Sequence, residues 1–341
     1  MTTSALPETM RALRLTAYDG RPESLQVTEM PVPKPAPGQV LVRVAAASIN
    51  PSDMLFVRGL YGVKKPLPAV PGFEGSGTVV AAGSLAGRLL VGRRVGCVPA
   101  PTTDGTWAEY VVVPLMQCLP LLPRMSDEQG AGFFINPVSA WALMELARRG
   151  KHRALVQSAA ASTLGRMVQK LARKEKLPLV NVVRRAEQEE MLRKLGVEHV
   201  VNSSEPEFDE RLRLICHELG VSLAFDPVAG PMTGSLMKAL VDGGTVIVYG
   251  SLSEQDCRIH PREFVFHQKK VEGFWLPEFF KGSFGKDQLR ALMGVPTLLS
   301  KDFEVPVRAK LPLESAAEAL RIAASDMTSG KVFFTPNAAK D

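Results

Sequence analysis

Two arginines at the end of an apolar stretch, and a glycine-poor turn upstream of them, are the residues whose types and spacing could do chemistry. Residues 178–185 read as a short buried strand that ends in Arg184 and Arg185. About twenty residues earlier lies a turn-like segment from Ser158 to Gly165. In a dinucleotide-binding βαβ unit the second strand ends beside the adenosine ribose. An acid there holds the free hydroxyls of NAD, whereas an arginine favours the extra phosphate of NADP. The spacing therefore points to NADPH; the plainer alternative is a surface arginine pair closing an ordinary strand. The turn departs from the G-x-G-x-x-G fingerprint. Only Gly165 remains, and Ala161 and Thr163 stand where glycines are expected. Backbone N–H groups at the following helix start, with the Ser162 and Thr163 hydroxyls, could still hold a pyrophosphate. A plain strand–helix turn is the other reading.

The elements that must position these residues follow from periodicity. From Ser126 onward, helical patterns alternate with short apolar strands at 154–158, 179–183, 199–202, 223–226, 245–249 and 271–275. Helices fit between them, for example over 165–174 and 187–195. Such alternation predicts a parallel, doubly wound sheet. Six strands match two mononucleotide-binding halves. The first 125 residues differ. Alternating strands at 10–15, 25–30, 40–48, 77–83, 94–98 and 107–113 are punctuated by glycines and by the proline-rich 31–38. Many short strands at close spacing predict a partly open β-barrel. A helix over 313–323 and a strand over 330–335 return to it. The expected domains are therefore 1–125 with 276–341, and 126–275.

Composition excludes other classes. The chain has 341 residues, 45% hydrophobic and 22% charged, a globular balance for about two domains. No apolar run reaches the roughly 20 residues that span a bilayer. No secretory signal is visible at the start, so a cytoplasmic protein is expected. Cys97, Cys118, Cys216 and Cys257 lie far apart with no C-x-x-C, which argues against a disulfide framework and a four-thiolate zinc lobe. The five histidines show no ligand spacing. The net charge of +6 suits an anionic ligand such as a nucleotide cofactor. Its basic clusters, at 148–153 and 173–176, carry no interleaved aromatics to stack bases, which argues against nucleic acid.

Over essentially its whole length the sequence resembles the medium-chain dehydrogenase/reductase superfamily. The resemblance rests on residues 10–13, 38–44, 48–53 and 68–75 for the N-terminal domain, and on 225–230 and 243–250 for the cofactor domain. Where zinc alcohol dehydrogenases carry a cysteine and a His-Glu pair, this chain has Asn50-Pro51-Ser52-Asp53 and Gly72-Phe73-Glu74, with both the cysteine and the histidine missing. Three suitable ligands cannot be assembled, so no catalytic or structural zinc is expected. Asp53 and Glu74 read as hydrogen-bonding structural carboxylates, with an acid/base pair as the alternative. Within the zinc-free branches, four segments look like the mitochondrial-type 2-enoyl thioester reductases. Residues 157–162 resemble the QNASNS turn, and 181–184 the end of the second strand. Residues 273–276 match GFWL, and 58–62 resemble QGNYG, where a tyrosine is the proton donor.

The resemblance implies an α/β protein: a GroES-like partly open barrel carrying the catalytic residues, and a six-stranded doubly wound Rossmann domain that binds NADPH. It implies that Tyr61 acts on the substrate carbonyl and that Asn136 touches the nicotinamide end. Ala161, Ser162, Thr163 and Leu164 would line the pyrophosphate, and Arg184 with Arg185 would hold the 2′-phosphate. Tyr249, Gly250, Ser251 and Leu252 would border the cofactor. Phe274, Trp275 and Leu276 would close its cleft, and Lys331 would reach back from the last strand. The expected reaction is NADPH-dependent reduction of a conjugated C=C in a 2-enoyl thioester. NADPH:quinone reduction is the alternative, and a non-catalytic NADPH- or RNA-binding protein the third reading. A homodimer is expected, because the edge strand at 271–275 would otherwise expose its ladder.

Overall fold

The computed structural model describes residues 6–281, 290, 305–326 and 328–338. The chain separates into two compact units, Met1–Ile135 with Glu304–Asp341, and Asn136–Phe303.

Alternating apolar residues build the strands of the first unit. β1 (Thr9–Leu15) pairs antiparallel with β2 (Leu25–Pro31). β3 (Gln39–Ser48) and β4 (Gly75–Ala82) form the longest pair; β5 (Arg94–Cys97), β6 (Tyr110–Pro114) and β7 (Cys118–Pro120) extend the sheet. Three short helices intervene: α1 (Pro51–Val57), α2 (Leu85–Arg88) and α3 (Asp127–Ala131). Ser126 caps α3 as its sequence predicts. Its hydroxyl accepts from the Gln129 N–H, and the Gln129 side chain returns to the Ser126 N–H. The apolar core packs Leu13, Leu41, Phe56, Trp107 and Phe334. This is the expected GroES-like, partly open barrel.

The second unit holds the strongest sequence signal. α4 (Ile135–Arg149) leads into β8 (Leu155–Gln157), and strands then alternate with helices. They are α5 (Thr163–Lys174), β9 (Leu179–Val183), α6 (Ala186–Lys194), β10 (Val200–Asn202), α7 (Phe208–Leu219), β11 (Leu223–Asp226), α8 (Pro231–Ala239), β12 (Thr245–Val248), α9 (Arg262–Val265), β13 (Lys270–Gly273) and α10 (Leu276–Phe279). Among the described residues the sheet is six-stranded and parallel, in the order β10-β9-β8-β11-β12-β13. That order is the doubly wound Rossmann arrangement, with its reversal between β8 and β11. Strands β8 to β11 are buried on both faces, as helices above and below require.

The chain then returns to the first unit through β14 (Val307–Leu311), α11 (Ala316–Ser325) and β15 (Lys331–Phe334). β15 lies parallel to β14 and antiparallel to β3. Among the described residues no helix is long and apolar enough to cross a membrane.

Candidate functional site

In the second unit, the residues expected at a cofactor, Asn136 apart, follow the carboxyl ends of the parallel strands. A doubly wound sheet binds its ligand there, at the switch point. β8 ends at Gln157, whose amide donates to the Gly165 carbonyl and to Asn181 Oδ1 on β9. Ser158 Oγ donates to Asp226 Oδ1 at the end of β11 at 2.6 Å. Asp226 also accepts from the N–H groups of Val228 and Ala229 and from Thr233 Oγ1. The turn after β8 is thus fixed by the strands on either side of it.

The turn places Ser162 as the N-cap of α5, its Oγ accepting from the Gly165 N–H at 3.1 Å. Gly165 allows the helix to close on the strand: a Cβ there would lie 2.7 Å from the Ala160 carbonyl oxygen. Counted back from Gly165, the fingerprint's other two positions are Ala160 and Ser162, which corrects the assignment to Ala161 and Thr163. The turn's strain falls elsewhere again, at Ala159, which adopts φ +47°. The first N–H groups of α5, on Thr163 and Leu164, have no acceptor within the helix, a ready partner for an anion. The half-buried Arg166 follows in the same turn, its guanidinium held below the usual value by burial.

Arg184 and Arg185 lie directly after β9, both exposed. Their N–H groups donate to Gln188 Oε1, and Ser204 Oγ donates to the Arg184 carbonyl at 2.6 Å. The backbone is pinned while the Arg184 guanidinium stays in solvent. Tyr249 follows β12. Its hydroxyl is buried without a hydrogen-bond partner, and burial beside Asp226 pushes it well up. Gly250, exposed Ser251 and Leu252 continue from it. Phe274 and Trp275 follow β13, and Trp275 caps α10, which begins at Leu276. Phe274 packs on Phe279 at 5.7 Å. Asn136 is the second residue of α4.

The first unit holds a second polar assembly, built around residues 48–53, Glu74 and Lys331. Gly72 makes the turn with φ +100°; a Cβ there would come within 2.5 Å of Thr106 and Trp107. The turn delivers Glu74 to the interior, fully buried. Its Oε1 accepts from Ser48 Oγ at 2.8 Å, Asn50 Nδ2 at 2.9 Å and Lys331 Nζ at 2.6 Å. Its Oε2 accepts from the N–H groups of Phe134 and Ile135, where α4 begins. Burial by itself pushes this carboxyl up, but Lys331, the Ile135 N–H and Asn50 outweigh it and hold Glu74 below its usual value. Asp53 caps α1 through the Asn50 N–H and also accepts from the Phe73 N–H. Burial, with Glu74 nearby, pushes it up to about 7.

This assembly alters one expectation. Lys331 is not a free cation on the last strand. It is buried, and its ammonium is neutralised by Glu74. Residues 50–53 and 72–74 contain neither cysteine nor histidine. Among the described residues no group of three His, Cys, Asp or Glu could hold a metal ion. The residues present do not fit a zinc centre.

Tyr61 lies half-buried at the rim of the same core and packs on Phe73, with ring centroids 4.9 Å apart. Phe73 packs in turn on Phe56. Sequence reading missed Lys65, whose ammonium is buried over the Phe56 and Phe73 rings, 5.4 and 5.9 Å from their centroids, with no hydrogen-bond partner. Burial depresses its pKa. Tyr18 Oη pins the Lys65 backbone, donating to its carbonyl and accepting from its N–H. A lone loop lysine carries no motif that would have disclosed this.

Comparison with known proteins agrees with the architecture. Residues 36–124 match the family described as alcohol dehydrogenase GroES-like domain, and residues 128–292 the family described as zinc-binding dehydrogenase. The mitochondrial enoyl-[acyl-carrier-protein] reductase of Arabidopsis thaliana is 30% identical over 309 residues, covering 88% of this chain and 81% of the relative. Its Caenorhabditis elegans counterpart is 33% identical over 79% of this chain and 78% of the relative. Among solved structures, a proposed NADPH:quinone reductase from Mesorhizobium loti is 33% identical, with a TM-score of 0.86 over 98% of this chain and all of that one. The quinone oxidoreductase of Thermus thermophilus, solved also with NADPH, is 26% identical, with a TM-score of 0.76 over 96% of this chain and all of that one.

Proposed function

Because the chain belongs to the medium-chain dehydrogenase/reductase superfamily and is an oxidoreductase of that family, we propose that it reduces the conjugated C=C bond of a 2-enoyl thioester with NADPH. The observation that carries the cofactor is Arg184. It is an exposed guanidinium on a pinned backbone at the carboxyl end of β9, the strand next to β8 in a 3-2-1-4-5-6 sheet. The open N–H groups of α5 and the unpartnered Tyr249 hydroxyl fit a dinucleotide along the same strand ends. Ser162, Thr163 and Leu164 would line its pyrophosphate, and Arg184 with Arg185 its 2′-phosphate. Asn136, Ala161, Gly250, Ser251, Leu252, Phe274, Trp275 and Leu276 would complete its surroundings. Lys331 has no part in this reading.

When bound, NADPH supplies the hydride. The protein must then stabilise the negative charge that develops on the thioester carbonyl oxygen and provide a proton at the α carbon. Tyr61 can do both. Its phenol O–H donates a hydrogen bond to the developing enolate. Packing on Phe73 fixes the ring that must make this contact.

Two variants test the reading. Tyr61→Phe is expected to lower turnover on enoyl-CoA substrates by about 10²–10³, the usual effect of removing one such donor. Arg184→Ala is expected to weaken NADPH in calorimetry by about 10- to 150-fold, from charge-assisted hydrogen bonds of about 1.5–3 kcal/mol, while NADH binding stays unchanged. Turnover on quinones with none on any enoyl thioester would replace the first activity with the second, for which the solved relatives provide the precedent. A homodimer formed through β13 belongs to the same proposal.

A further inference from the structure

The four cysteines are distant in sequence, yet the register of β5 and β7 sets Cys97 directly opposite Cys118. The hydrogen bonds beside them fix the kind of pair. Val98 N–H donates to the Gln117 carbonyl, and Leu121 N–H donates to the Arg94 carbonyl. Hydrogen-bonded and non-hydrogen-bonded pairs alternate along an antiparallel ladder. Cys97 and Cys118 therefore occupy a non-hydrogen-bonded pair. There the Cα atoms stand about 4.5 Å apart and the side chains approach most closely. That spacing lies within the roughly 4.4–6.8 Å a disulfide spans. Both side chains face the apolar core of the first unit, Cys97 buried and Cys118 partly buried. On its other flank Cys97 faces Gly75, which offers no side chain, so Cys118 is its neighbour across the strands. Both thiols are free.

We propose that Cys97 and Cys118 are a redox-active dithiol that exchanges with a small disulfide such as oxidised glutathione. The Cys118 thiolate attacks one sulfur of that disulfide, forming a mixed disulfide and releasing the first small thiolate, which takes up the Cys118 proton. The Cys97 thiolate then attacks Sγ of Cys118. The Cys97–Cys118 bond forms, the mixed disulfide breaks, and the second small thiol leaves with the Cys97 proton. Two thiols are oxidised to one disulfide, and the small disulfide is reduced to two thiols.

The order follows from access. Cys118 opens β7, a three-residue strand at the end of its sheet, two residues after the exposed Met116. Burial pushes the Cys118 thiol up to about 12 and Cys97 well above its ordinary value. Exchange is therefore slow at neutral pH and speeds up with the thiolate fraction as pH rises. The product bond fastens β7 to the strand that flanks Gly75, the residue after Glu74, and so ties the thiol balance of the surroundings to the buried carboxylate. Cys257 is exposed, and Cys216 is buried in the second unit.

The experiment uses the full chain carrying Cys257→Ser, equilibrated in glutathione buffers of rising oxidised fraction and read by non-reducing peptide mapping. The expected product is a peptide joining Cys97 to Cys118, with folded-state circular dichroism retained and a rate rising about tenfold per pH unit below the thiol value. A further Cys97→Ser change is expected to leave only a glutathione adduct on Cys118. The proposal fails if no joined peptide forms in the folded protein at alkaline pH, or if it forms only in urea. It fails equally if the bond joins Cys216 instead.

Discussion

Glu74 and Asp53 show how two neighbouring carboxyls acquire opposite titrations from local geometry. Glu74 is held below its usual value, so the stability it contributes is present above its unfolded value of about 4.3 and lost as pH falls through the folded one. Asp53 is raised to about 7. Its contribution is full below its unfolded value of about 3.9 and is lost as pH rises through about 7. Glu74→Gln leaves the buried Lys331 ammonium without its counter-charge, which typically costs about 3–5 kcal/mol. Denaturant midpoints measured from pH 7 to pH 3 should fall steeply in the wild type below pH 5 and less so in the variant, with the gap narrowing towards acid. Parallel curves would show that the pair does not set acid stability. The Lys331–Glu74 contact was illegible in sequence, because 257 positions separate the two residues and no local pattern joins them. The sequence left both carboxylates open between a structural role and an acid/base pair, because the donors that fix them lie on other elements.

Elements with a clear period were readable, and those too short to show one were not. β1 to β6 and β8 to β13 follow apolar alternation or apolar runs bounded by glycine, and the structure places them within a few residues of expectation. β7 has three residues ending in a proline, and α2 four, so neither displays a period. The partnership of Cys97 and Cys118 was hidden for the same reason: register is set by the whole sheet. β13 carries its own prediction. The N–H groups of Lys270 and Phe274 donate to the carbonyls of Gly244, just before β12, and Val248, which turns those of Val271 and Gly273 towards the open edge. Val271→Pro removes an outward donor without breaking the ladder to β12. Light scattering at micromolar concentration should show a dimer for the wild type and a folded monomer for this variant. An unchanged mass would place the interface elsewhere, and a monomeric wild type would remove it.

At the scale of the molecule, the strand–helix alternation of the second unit was the most legible feature, because barrel and doubly wound sheet impose different periods. The path of the chain was less so: the second unit is one continuous stretch, whereas the first closes only when β15 pairs with β3. This ordering has a consequence for biosynthesis. At about 5–20 residues per second, Glu74 leaves the ribosome roughly 13–50 s ahead of Lys331. Through that interval the nascent barrel carries a carboxylate destined for its interior with no cation to meet it, while the whole nucleotide-type sheet emerges in the meantime. Vectorial synthesis thus favours the later segment as the first to become compact, and the earliest strands wait on the last.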